Sequence, residues 1–337
     1  MHHSIRLKPL LPTFVPAGFV DVGPSVVRDA TTGENLVIVD SVQSVANHLE
    51  ATLVAEPGRA IAGLEAMPYV RLTITDPAGR TRCTSSLELP HRLASGWLCK
   101  AKDLKPFQEA LANDILDNGI AAATFRRCPN SLLHGVFYSQ LAGLDPNVAK
   151  TPRLLSAEVV ARGAQSITDG GVAKDPLFPS GEGFDVEGLV GAKAKAAEVG
   201  AGYIPYRHQA FIAREVEFSV YLAEGRINRL PLPEPARDVL RLLARTKLAL
   251  LLAEPLDLRA HCIFQVEDSN AIPQELRNPH QLFADLQERL QECQQLGLLQ
   301  EPVITEFHLT LGAAKAKASK SKAAVVAHSS DGNAEDG

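Results

Sequence analysis

The stretch Asn35–Glu50, NLVIVDSVQSVANHLE, decides how the chain is read. Leu36 to Val39 is an apolar run of strand length, and it feeds straight into a helical pattern. Val42, Val45, Ala46 and Leu49 fall at i, i+3, i+4 and i+7, one buried stripe, with Asp40 or Ser41 as the cap. The opposite face offers Gln43, Ser44, Asn47 and His48, short hydrogen-bonding groups where a solvated helix face more often carries Lys and Glu. Such a β-to-α junction presents a neutral polar cradle at a helix start.

Working outward, YVRLTITDPAGRTRCTSSLEL (69–89) alternates around Asp76-Pro77-Ala78-Gly79 and predicts a β-hairpin. Residues 103–118 read as a helix, and PNSLLHGVFYSQLAG predicts another, capped by Asn130 or Ser131 and ending at Gly143. RLLSAEVVARG (153–163) is either a helix or an edge strand. Residues 163–202 hold nine of the 24 glycines and show little periodicity, which predicts a long Gly-rich insertion. REVEFSVYL (214–222) alternates as a half-exposed strand, residues 233–255 form a strong helix, and LRAHCIFQV (258–266) returns to a period of two. A Gln/Glu-rich helix over 280–296 and a strand in VITEFHLTL (303–311) complete the pattern. Strands and helices mix without regular alternation, so the expected class is α+β with a mostly antiparallel sheet. A single domain is expected over 1–312, followed by a low-complexity, disordered tail over 313–337.

Composition narrows the function. With 34 Lys and Arg against 39 Asp and Glu, the net charge is −5, so any polyanion site must be a local patch. Five irregularly spaced cysteines argue against a disulfide framework and a zinc site, and predict buried free thiols. The first residues lack an apolar signal region and Leu248–Ala253 is too short to span a bilayer, which predicts a soluble, cytoplasmic protein with no membrane partner. Dinucleotide, Walker, nucleophile-elbow and zincin signatures are absent, and GEGFDVEG (181–188) lacks the strand and the Gly-Lys-Ser/Thr of a phosphate loop. No metal or cofactor is expected.

Three polar constellations remain. Gln43, Ser44 and Asn47 open the first helix. Ser85, Ser86, His91 and Arg92 bracket the apolar Leu87, Leu89 and Leu93; Arg153, Ser156 and Arg162 share one segment. Capping, turn formation and surface ion pairs account for each taken singly. Together they suit a repeating phosphate backbone, which helix starts, Ser/Asn/Gln hydrogen bonds and a few cations hold without a basic chain overall.

In order, VDSVQSVANHLE, SSLELPHRLASGWL, NSLLHGVFYSQ, RLLSAEVVARGA and GYIPYRHQAFIAREVEFSVYL resemble the motif blocks of a known family. It is the RAMP-superfamily backbone subunit, of the Cas-seven group, in type I-G (formerly type I-U) CRISPR effectors. The resemblance covers roughly residues 12–266 and implies an RRM-like (ferredoxin-like βαββαβ) core with large insertions. It implies a non-enzymatic subunit that oligomerises along CRISPR RNA and presents the guide to target DNA. The implied partners are copies of itself, other Cascade subunits and a separate helicase-nuclease. Carried onto this chain, Gln43, Ser44, Asn47, Ser85, Ser86, Arg92, Arg153 and Ser156 become candidate guide-backbone contacts, joined by His134. Lys174, Tyr203 and Arg207 become candidates for a thumb or the groove facing the next subunit. His48 stands where the family more often carries Arg.

Two rival functions follow from the same residues. A precursor-RNA endoribonuclease would use His91 and His134 as acid and base, whereas a metal-dependent relative would need an exposed Asp such as Asp76 or Asp169. An RNA-independent protein scaffold would make subunit contacts insensitive to salt.

Overall fold

The computed structural model describes residues 1–19, 22–145, 149–174 and 203–312. Strands β1 (His2–Pro9), β2 (Val26–Arg28) and β3 (Asn35–Asp40) precede helix α1 (Val42–Ala51). A hairpin of β4 (Tyr69–Thr75) and β5 (Thr81–Ser85) is followed by α2 (Lys105–Asn118), α3 (Ile120–Arg127) and α4 (Pro129–His134). Short strands β6 (Val136–Phe137) and β7 (Lys150–Thr151) lead to β8 (Leu155–Arg162), β9 (Gln165–Lys174), β10 (Tyr203–Ile212) and β11 (Glu215–Leu222). The chain then runs through α5 (Glu234–Leu252), β12 (Leu256–Arg259), β13 (Cys262–Val266), α6 (Pro279–Gln295) and β14 (Ile304–Thr310).

Seven strands pair antiparallel in the order β12-β13-β1-β11-β8-β3-β2. Within this sheet β1, β8, β11 and β13, with α1 before β8 and α5 after β11, follow the β-α-β-β-α-β succession, neighbouring in space as β13-β1-β11-β8. The expected α+β class and RRM-like core are therefore present, with insertions between β1 and β8. Alternation explains the sheet: Val216, Phe218, Val220 and Leu222 of β11 are buried, and Phe218 lies opposite both Ile5 of β1 and Val159 of β8. Val45, Ala46 and Leu49 of α1 are buried where α1 packs on β8, and the Val239/Leu240/Leu243/Leu248 stripe of α5 is buried where α5 meets α1, α4 and α6. A second sheet, β14-β4-β5, runs β14 parallel to β4 from Ile304↔Tyr69 to Thr310↔Thr75. Among the described residues no helix is long and apolar enough to cross a membrane.

Local details differ from the sequence reading for identifiable reasons. The helix expected to run to Gly143 stops at His134, because Gly135 adopts φ +78° and Val136–Phe137 then pair with Lys150–Thr151. The segment around Ser156 is neither a helix nor an edge strand; β8 is an interior strand between β11 and β3. Ser41, not Asp40, caps α1, its Oγ accepting from the Ser44 N–H at 3.3 Å. The described flanks of the Gly-rich insertion form a regular ladder, Gln165↔Ile212 through Lys174↔Tyr203, whose backbone bonds need no apolar alternation. Residues 175–202 and the tail over 313–337 lie outside the described residues, as does the side chain of Asp169.

Candidate nucleic-acid interface

The outward face of α1 forms one wall of a groove of about 730 Å³. Gln43 and Asn47, four residues apart, project from that wall. His91 and Arg92 come from the turn after β5, His134 and Gly135 from the end of α4, Phe137 and Lys150 from the β6–β7 ribbon, and Arg153 from the entry to β8. Five residues expected at the site, Gln43, Asn47, Arg92, His134 and Arg153, thus meet from four separate segments. His91 and Arg92 both hold positive φ, 62° and 55°, an uncommon pair for non-glycine residues; strain of this kind persists where the surroundings over-determine it.

Behind the groove runs a buried polar chain. Arg92 forks onto Glu50, Nε donating to Oε1 at 2.5 Å and Nη2 to Oε2 at 2.7 Å. Asn130 Nδ2 donates to Glu50 Oε1 at 2.7 Å, and Lys247 Nζ donates to Asn130 Oδ1 at 2.6 Å. Lys247 Nζ also lies 2.6 Å from His134 Nε2. Burial drives the Lys247 ammonium down to about 7, with Glu50 opposing and Arg92 reinforcing the shift. His134 is pulled well below the ordinary imidazole range, first by burial and then by Lys247, Arg92 and Arg153. A neutral His134 accepting at Nε2 carries its proton on Nδ1, a buried atom with no hydrogen-bond partner.

These partners sort the expected contacts. Arg92 is neutralised by Glu50 and acts as a brace in the groove wall. Arg153 donates from Nη1 to the Val42 carbonyl at 2.9 Å, and among the described residues neither it nor Lys150 forms an ion pair. They are cations without an ion pair, though the Glu50 carboxylate partly offsets the Arg153 charge. Burial lowers the Arg153 guanidinium, as does Arg92 beside it.

Other expected contacts lie elsewhere. Ser85 and Ser86 are fully buried: Ser85 Oγ donates to Glu88, and Ser86 Oγ accepts the Val70 N–H at 3.0 Å and faces Cys128. Core packing puts both beyond reach of an outside strand, which corrects their reading as backbone contacts. Ser44 flanks the groove without lining it, and Ser156 sits in β8 opposite Tyr221. His48 turns to the buried Asp40, 3.5 Å away, which Arg259 also meets. Lys174, Tyr203 and Arg207 are placed as backbone positions of the β9–β10 ladder, and their side chains lie outside the described residues.

Glu50, Asn130 and Lys247 escaped sequence reasoning. Lys247 did carry a signal: it follows Leu243 by four residues and falls on the buried stripe of α5. Glu50 and Asn130 carried none, since their burial comes from helices that meet only in the folded chain.

The fold and groove together define an α+β protein with an RRM-like core and a polar, locally cationic cleft. Residues 4–166 match the family model described as CRISPR-associated protein GSU0053. The match covers 163 of the 337 residues, just under half of the chain, and makes the N-terminal part of the protein similar to this CRISPR-associated family. No curated protein matches the chain. Among solved structures, a chain of a "CRISPR RNA-guided surveillance complex, pre-nicking" is similar at 14% identity and a TM-score of 0.34, over 75% of this chain and 66% of that one. The match therefore spans just under two thirds of that relative's length.

Proposed function

We propose that this protein is a non-catalytic CRISPR RNA-binding backbone subunit of a type I-G interference complex. In this reading it oligomerises along the guide, presents the bases to target DNA, and works with other Cascade subunits and a separate helicase-nuclease. The observation that carries the reading is the groove itself. All its lining residues, from Gln43 to Arg153, fall inside the family-matched segment, and they combine neutral donors with two unpaired cations. Such a lining grips phosphate and ribose without reading bases. The β9–β10 ladder is the candidate thumb, with Lys174, Tyr203 and Arg207 on its strands.

The endoribonuclease reading draws on His91 and His134 lining the same groove. Against it, His134 is buried and held neutral against Lys247, which unfits it as the acid of an exposed pair.

The test is to express the chain with and without a CRISPR array and to analyse the size-exclusion peak for absorbance ratio and extracted RNA. A large, RNA-rich peak carrying discrete array-derived RNA is expected, and Lys150→Glu, at an exposed position of the groove, should reduce the RNA content while the free protein melts normally. Arg92→Glu should instead destabilise the fold, because it sets a second carboxylate against Glu50. An RNA-free monomer under both conditions returns the scaffold reading, and precursor cleavage that survives EDTA but not His91→Ala returns the nuclease.

A further inference from the structure

The groove does not end at His91. Pro90 and His91 also line a second hollow, of about 620 Å³, so the two share one rim. Its principal feature is Trp97, the single tryptophan of the chain, 42% exposed. The reason for that exposure is local. The helical turn Gly96–Cys99 buries Leu98 and Cys99, and Cys99 Sγ is 3.5 Å from the Leu93 carbonyl, so Trp97 is left facing outward. Ser95 Oγ accepts the Trp97 N–H at 3.4 Å and fixes the start of the turn. The backbone at Trp97 is therefore held in the turn, and the indole it carries is open to solvent. Leu309 and Leu311 contribute apolar lining beside it. Lys100 and Lys102 stand exposed around it, with Asp103 as the one acidic neighbour, so the lining carries a net positive charge.

An exposed aromatic face flanked by lysines and continuous with a phosphate-holding groove fits one ligand chemistry, an unpaired nucleobase on a single strand. We propose that the Trp97 hollow is a nucleobase subsite. One base of the RNA whose backbone lies in the first groove stacks on the indole, while Lys100 and Lys102 meet the flanking phosphates. This inference rests on the RNA-binding reading above and adds a contact that the reading does not require.

Because Trp97 is the only tryptophan, indole emission reports on this subsite alone. The experiment titrates the full chain with an end-labelled single-stranded RNA oligonucleotide, following anisotropy of the label and indole emission together. Emission should fall with the same midpoint as the anisotropy rise, and an oligonucleotide of abasic ribose-phosphate units should leave it unchanged. Trp97→Ala should bind roughly ten-fold more weakly with an unaltered melting temperature, and Trp97→Phe should recover most of the loss. Binding by anisotropy with steady emission, or with Trp97→Ala at wild-type affinity, overturns the subsite and leaves the groove reading standing. Absence of RNA binding in every variant overturns both. Emission that changes on removal of residues 313–337 without RNA assigns the hollow to the chain's own tail, and overturns the proposal too.

Discussion

Lys247 shows how far one residue can depart from its ordinary chemistry. It is fully buried, and its two polar contacts are the Asn130 carbonyl oxygen and His134 Nε2. Its amine titrates at about 7 in the folded protein against 10.5 for the ordinary side chain. Between those values the unfolded chain binds the proton that the folded chain rejects. Stability from this group is therefore present above the ordinary value and lost as pH falls toward 7, at ~1.4 kcal/mol per pH unit. Thermal unfolding of wild type and Lys247→Met should diverge in favour of wild type as pH rises from about 7.5 to about 9.5. A difference that stays constant over that range would mean the amine titrates normally. The shift of His134 has the same sign in a lower window, with stability lost as pH falls below 6.5.

At the scale of elements, the groove depends on where α4 stops. Gly135 takes φ +78° and ψ 145°, a region open to glycine almost alone. A Cβ there would lie 2.8 Å from the Arg153 backbone nitrogen and 3.1 Å from its Cα, so the clash falls on the residue carrying a groove cation. Gly135→Ala should cost about 1–3 kcal/mol in urea unfolding and weaken RNA binding together. Loss of stability with full RNA affinity would separate this turn from the site. The apolar spacing of Leu132, Leu133, Val136 and Phe137 continues through Gly135, so sequence periodicity predicts a longer helix than forms. Periodicity does not sense backbone handedness. It served better for β11 and α5, where long uninterrupted patterns match one buried face.

For the whole molecule, a net charge of −5 means that binding must come from few cations in one place. The two hollows together offer Arg153, Lys150, Lys100 and Lys102. With four phosphate contacts on a single strand, log affinity should fall against log salt with a slope of about −3 per subunit. Anisotropy titrations across a salt series measure it. A slope near zero would favour the scaffold function, and one twice as steep would require cations beyond these hollows.

Much of the architecture is written in local chemistry. The β-to-α junction at Asp40–Val42, the hairpin at Asp76–Gly79 and the alternation of β11 follow from neighbouring residues, so the α+β class and the polar face of α1 were legible in the sequence. Gln43 and Asn47 belong to that part, since four residues of helix put them on one face whatever the surroundings. The partners of Arg92, the burial of Ser85 and Ser86, and the meeting of Glu50, Asn130, His134 and Lys247 were decided only by the tertiary structure. The physical reason is range. Propensity and periodicity act over a few residues, whereas desolvation and ion pairing act between groups that are 42 to 117 positions apart in the chain and within 3 Å in the fold.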